Sequence, residues 1–183
     1  MHLAALVHVR GLVLAVWSSD LFKSEATQAQ PYAQLVAARL RGAGIACTAD
    51  PLSLRHSLDD IPRYKDQQDI QLDAGGFIEV KSRRLRFTDD PATYPYDTAL
   101  LDSVTSWNQK TVTPLAIVLV SRATHRMLMV LADTRPAWIV TQQFDRVRGY
   151  TSTAYSCHRD QLITFTAGTD YLHNTIRRQN YGV

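Results

Sequence analysis

The sequence predicts an α/β chain in which a helix leads into three strands, a second helix and a fourth strand. Three observations carry this: helical apolar spacing over residues 31–41, a hairpin pattern over 69–81, and an unbroken apolar run over 114–120. A strand buried on both faces reads as such a continuous run rather than as an alternation.

In the first predicted helix, Pro31 sits at a first-turn position. Tyr32, Leu35, Val36 and Leu40 follow at helical spacing, and Gly42 or Gly44 ends the element. Residues 44–48 form a first strand. Residues 49–65 are polar and broken by proline, a loop with one turn of helix at 53–58. Two short strands follow, carrying Asp69 and Glu79. The second helix is expected over 97–109, with Asp97 as N-cap and Leu100, Leu101, Val104 and Trp107 on one face. Beyond the 114–120 strand, residues 126–131, 137–141 and 161–166 read as extra C-terminal strands and 170–180 as a short helix.

The hairpin holds the chemistry. Side chains alternate faces along a strand, so Ile70 and Leu72 point one way and Asp69, Gln71 and Asp73 the other. Ile78 and Val80 likewise oppose Glu79 and Lys81. A three-residue loop centred on Ala74 would place Asp69 directly across from Glu79, with Cβ atoms roughly 5 Å apart. Two carboxylates held that close repel, and one pKa rises unless a cation is shared between them. A hard cation such as Mg2+ is held by one or two carboxylates together with substrate phosphate oxygens. Lys81 would orient a water, accept its proton if its own pKa is depressed, or balance charge at a phosphate.

A Glu-x-Lys triplet alone arises by chance about once in a few hundred residues, and a solvated strand face is its plain alternative. Here the chain has only two glutamates, Glu25 and Glu79. The strands around Asp69 and Glu79 are otherwise apolar, and a charge on a buried strand is costly.

Asp69 followed ten residues later by Glu79-Val80-Lys81 resembles the relaxed signature of the PD-(D/E)XK, or restriction-endonuclease-like, nucleases, including small nucleases of phage type. Gln68 stands where the family motif has proline. The resemblance covers residues 25–121. It implies a helix-strand-strand-strand-helix-strand core around a mixed central sheet, with the acid in the second strand and Glu-x-Lys in the third. It further implies a Mg2+-dependent deoxyribonuclease, with Mn2+ able to substitute. Asp69, Glu79 and Lys81 would be catalytic, and Asp69, Glu79 and the Val80 carbonyl would be metal ligands. A first-helix acid often joins such a site, which makes Glu25 a fourth candidate; a helix N-terminal acid favoured by the dipole is the equal alternative. Asp66 and Asp73 would supplement Asp69, although Asp73 suits a turn.

The net charge of +3 and pI near 9.0 permit a polyanionic partner without demanding one. Arg83, Arg84, Arg86 and Lys110 are the candidate DNA contacts, with Arg122 and Arg126 nearby. Alternation puts Arg83 on the Glu79 face. A solvated basic face is the competing reading. Trp107 is expected in the core, and His125, His158 and His173 show no metal spacing. Cys47 and Cys157 are expected reduced and buried, as suits a cytoplasmic protein, or one carried in a host cytoplasm or virion.

The composition fits a single domain over 1–183, with a core at 25–121, an N-terminal extension at 1–24 and additions at 122–183. The apolar stretch 1–17 is interrupted by Arg10 and is too short to span a membrane. It is expected to pack as a strand or helix on the core or on another subunit. A second function class stays open: a structural or assembly protein of a viral particle, of head-completion or neck type, with a nuclease-like fold and little turnover. A homo-oligomer suits either class.

Overall fold

The computed structural model describes residues 8–9, 12–13, 19–51, 69–145 and 150–181. The expected loop and helical turn of 49–65 lie largely outside these residues, as do Asp66 and most of the N-terminal stretch. Of that stretch, β1 (His8–Val9) and β2 (Leu12–Val13) form an antiparallel pair.

Helix α1 spans Ser19–Gly42 and is longer than the sequence suggests, with Pro31 inside it rather than in its first turn. An interior proline removes one backbone hydrogen bond. The segment before it, with Leu21, Lys23, Glu25, Ala26, Gln28, Ala29 and Gln30, has enough helix propensity to continue. The helix stops at Gly44, whose φ of +83° suits a residue without Cβ, while the Ile45 amide donates to the Leu40 carbonyl at 2.9 Å.

A six-stranded mixed sheet forms the centre. Its members are β3 (Cys47–Ala49), β4 (Ile70–Leu72), β5 (Phe77–Arg83), β7 (Ala116–Ser121), β8 (Met127–Leu131) and β11 (Ile163–Thr164). The order across it is β11-β8-β7-β5-β4-β3. Only β5 and β7 run parallel; the other neighbours are antiparallel.

Between β5 and β7 the chain leaves this sheet. It forms β6 (Thr98–Ser103) and the short helix α2 (Val104–Asn108). Strand β6 joins β10 (Tyr150–His158) and β9 (Ile139–Asp145) in a three-stranded antiparallel sheet, order β6-β10-β9. The helix expected over 97–109 is therefore a strand followed by one and a half turns, and its N-cap is Ser103 rather than Asp97. Leu100, Leu101 and Val104 fit helical spacing. The burial that decides is the alternation of Ala99 and Leu101 in the core against Thr98, Leu100 and Asp102, and β10 supplies the pairing. The last expected strand, 161–166, shrinks to β11, because α3 (Phe165–Tyr181) begins earlier than expected.

The central sheet separates two apolar clusters. On one side Val36, Ala37 and Leu40 of α1 and Phe165 and Leu172 of α3 cover Ile70, Leu72, Ile78, Val118 and Met129. A Cβ at Gly168 would collide with the Met129 sulfur, so glycine sets how closely α3 lies on β8. On the other side Ile117, Leu119, Leu128 and Val130 meet Leu101, Trp107, Trp138 and Cys157. Strand β7 thus feeds both clusters by alternation, as its unbroken apolar run requires. Cys47 and Cys157 are buried thiols in opposite clusters and do not pair. Among the described residues, no helix is long and apolar enough to cross a membrane.

Candidate functional site

Turn chemistry fixes the hairpin register. The Leu72 amide donates to the Gly76 carbonyl and the Gly75 amide to the Leu72 carbonyl, each at 3.0 Å, which closes a loop of Asp73, Ala74 and Gly75. Gly75 and Gly76 have φ of +96° and +80°, where side chains with a Cβ are strained. Ile70 then pairs with Ile78, and one step further Asp69 lies opposite Glu79, as the sequence suggests.

At that step the ladder ends and Asp69 replaces it. Its Oδ2 accepts the Val80 amide at 2.7 Å, on the edge of β5 that β4 would otherwise occupy. The Phe77 and Arg83 carbonyls accept amides from the β7 side. Alternation therefore turns the Val80 carbonyl toward the Asp69 side.

Glu79 and Lys81 point away from α1, toward the three-stranded sheet. There they meet two groups that the chain supplies from the β6–α2 excursion. Glu79 accepts from Lys81 Nζ at 2.7 Å through Oε1 and from Lys110 Nζ at 3.1 Å through Oε2. Asp102 faces the same two ammonium groups, at 3.7 Å from Lys81 and 3.6 Å from Lys110. Asp102 is itself held by the Ser103 amide at 2.9 Å and the Ser106 hydroxyl at 3.4 Å, both at the start of α2. Asp69, Glu79, Asp102, Lys81 and Lys110 thus form one cluster in which Glu79 is only 7% exposed.

The electrostatics divide the two facing acids. Burial, and then the charge of Glu79, push the Asp69 carboxyl up to about 6. Burial also pushes Glu79 upward, but Lys81 and Lys110 outweigh it and hold this carboxyl below its ordinary value. For Lys81, burial opposes the charge, yet Glu79, Asp102 and Asp69 together raise its pKa. The role considered for Lys81 as a proton acceptor needs a depressed pKa, whereas these carboxylates raise it.

The remaining candidates separate. Lys110, a candidate DNA contact, is a part-buried partner of Glu79 and Asp102. Arg83 keeps the face predicted for it, but its Nη2 donates to the Leu100 carbonyl at 2.6 Å. Burial lowers its pKa, and a guanidinium stays charged nonetheless. Arg84 and Arg86 are exposed. Glu25 lies in α1, with its side chain outside the described residues. Asp73 is an exposed turn residue. Trp107 packs edge-on against Trp138 at 4.8 Å, in the core. His173 is bonded to the Ala43 carbonyl.

Sequence reasoning missed Asp102, because it lies in the strand read as a helix. Its one signal was an acid on the Thr98 and Leu100 face of an alternating segment whose other face carries Ala99 and Leu101. Among the described residues, no group of three or more His, Cys, Asp or Glu is arranged to hold a metal. Asp69 and Glu79 do lie close enough for one charge to shift the other's pKa, and a pair of acids is what a hydrated Mg2+ commonly takes. Compared with protein families, characterised proteins and solved structures, the chain matches none.

Proposed function

We propose that this protein is a metal-dependent nuclease that hydrolyses phosphodiester bonds of DNA. The observation that carries the reading is the pairing of Asp69 with Glu79 at the open end of the β4–β5 ladder, with Lys81 two residues on and on the same face. The order of α1, three strands and a parallel fourth strand around this hairpin supports the restriction-endonuclease-like core that the motif implies.

Asp69, Glu79 and the Val80 carbonyl would hold Mg2+ or Mn2+. When bound, the cation would lower the pKa of a water and stabilise charge at phosphorus. The chain's own groups do the rest. The Val80 amide fixes the Asp69 carboxylate. Lys81, held protonated, places a positive charge where a phosphate oxygen would gain charge. Asp102 and Lys110 hold Lys81 and Glu79 in place from the second sheet.

The test is cleavage of linear and circular plasmid DNA with Mg2+, Mn2+ or EDTA. Metal-dependent products are expected, and their loss is expected in Asp69→Ala, Glu79→Ala and Lys81→Ala proteins that retain the native circular dichroism. A Glu79→Ala protein that cuts as well as the parent would show the reading to be wrong.

One observation favours the second class. Val140 and Phe144 are 58% and 57% exposed. They stand four residues apart on one face of β9, an edge strand. An exposed apolar edge is a template for another chain, as a particle component would need. Stable oligomers by light scattering, with no DNA products under any metal condition, would favour that class.

A further inference from the structure

The cluster of acids and lysines is one level of a longer cleft. Lys81 of β5 meets Asp102 of β6, and two residues on Arg83 of β5 meets Leu100 of β6. The two strands therefore face each other in a constant antiparallel sense. The next level lies about 6.6 Å along, two strand residues away. At that level the cleft opens into a cavity of about 520 Å3 between the two sheets, lined by Arg83, Tyr94, Tyr96, Leu100, Gln142 and Gln143 among others. Ligand sites commonly fall in the range of about 300–1,000 Å3.

Arg83 is unsatisfied there. Its Nη2 is used on the Leu100 carbonyl, and its buried Nε has no hydrogen-bond partner among the described residues. An orphaned buried donor requires an explanation, and a guanidinium suits an acceptor-rich, anionic group. Tyr96 is 57% exposed, with its ring edge-on to buried Tyr94 at 6.5 Å, so one ring offers a free face. Gln143, on the same face of β9 as Thr141, brings an amide donor and acceptor.

We propose that this cavity seats an unpaired nucleotide of the DNA strand, next to the phosphate held at Asp69, Glu79 and Lys81. The proposal rests on the nuclease reading for its substrate class and adds to it a preference for single-stranded or frayed DNA. Tyr96 stacks on the base, the Arg83 guanidinium donates to the nucleotide, and Gln143 reaches the base edge. Sheets pack about 10 Å apart, so a base within a duplex cannot enter the recess between them without leaving its stack.

The experiment measures fluorescence anisotropy of a labelled single-stranded oligonucleotide and of a blunt duplex of the same sequence. It is done in EDTA, where no cleavage occurs, with wild-type, Tyr96→Ala and Gln143→Ala proteins. The wild type is expected to bind the single strand more tightly. Tyr96→Ala should weaken that binding about 5- to 150-fold, the loss of one stacked base, and leave duplex binding within about twofold. Because Tyr96 is exposed, the variant should fold, as circular dichroism would verify. The proposal is overturned if the wild type binds no DNA, if it prefers the duplex, or if neither variant discriminates. Single-strand binding that depends on Tyr96, without metal-dependent products, would overturn the nuclease reading and leave the nucleotide site standing. Metal-dependent cleavage unaffected by Tyr96→Ala would do the reverse.

Discussion

Strand β5 presents two surfaces of opposite character within seven residues. On the helix side, Ile78 is fully buried beneath α1 with Ile70 and Leu72. On the other side, Glu79 is almost as well covered and Lys81 half-buried, but by Asp102 and Lys110. The apolar side is held by volume, and many hydrophobic residues of similar shape would serve it. The charged side is held by partners, and its cost is desolvation that only those partners offset. A stability requirement alone would have filled the second surface with apolar groups too, which often stabilises a protein when a buried ion network is replaced. The contrast is the reason to read that surface as functional.

Substitutions on the two faces should break differently. Ile78→Ala should cost the most, about 2–5 kcal/mol, from lost transfer energy and a cavity. In urea denaturation that loss should be the same at pH 5 and pH 8. Glu79→Gln removes the acceptor shared by two ammoniums and should cost about 3 kcal/mol at neutral pH. Its carboxyl is held below the ordinary value, so the stability it contributes is present above the unfolded pKa of 4.5 and lost as pH falls through the folded one. The Glu79→Gln deficit should therefore shrink in acid. A deficit that does not change with pH would mean that Glu79 acts by packing alone.

Asp69 should behave in the opposite sense. Its pKa is raised, from 3.8 to about 6, so the folded state binds the proton more tightly than the unfolded chain does. Its ionisation weakens the fold as pH rises through this window, and the penalty is complete above pH 6. Asp69→Asn keeps an acceptor for the Val80 amide. In EDTA it should raise stability by about 1–3 kcal/mol above pH 6, with the gain fading toward pH 4. Thermal melts from pH 4 to pH 8 would show the two profiles crossing. At the far end of the scale, Arg126 and Asp89 form an exposed pair at 3.0 Å. Arg126→Ala should change stability by less than about 1 kcal/mol, which a melt in matched buffer would register. A larger loss would place that end of β8 in the central sheet under electrostatic control.

The hairpin half of the site was legible in the sequence because its determinants are local. Strand alternation and the Asp73-Ala74-Gly75-Gly76 turn suffice to face Asp69 toward Glu79. The other half was not. Asp102 and Lys110 come from a segment where Leu100, Leu101 and Val104 satisfy helical and strand spacing alike, and only pairing with β10 decides between them. Strand β10 itself gave no signal. Its sequence of small and polar residues, TSTAYSC, buries Ala154, Ser156 and Cys157 without any large aliphatic side chain. Arg83 shows the same limit. Its face followed from counting, but its attachment to the Leu100 carbonyl depended on a layer the sequence did not reveal.

The excursion that carries β6 and α2 has a consequence for the order in which the molecule assembles. Glu79 and Lys110 are 31 residues apart, and that loop must close before Glu79 gains its second counterion. The β4–β5 hairpin needs only its own turn. While it forms alone, its acidic face has to stay in water, since burying Glu79 and Asp69 with Lys81 as their sole cation leaves charge uncompensated. The second sheet thus acts as a lock: water leaves the site only when β6 arrives, and folding of the chain and completion of the site are one event.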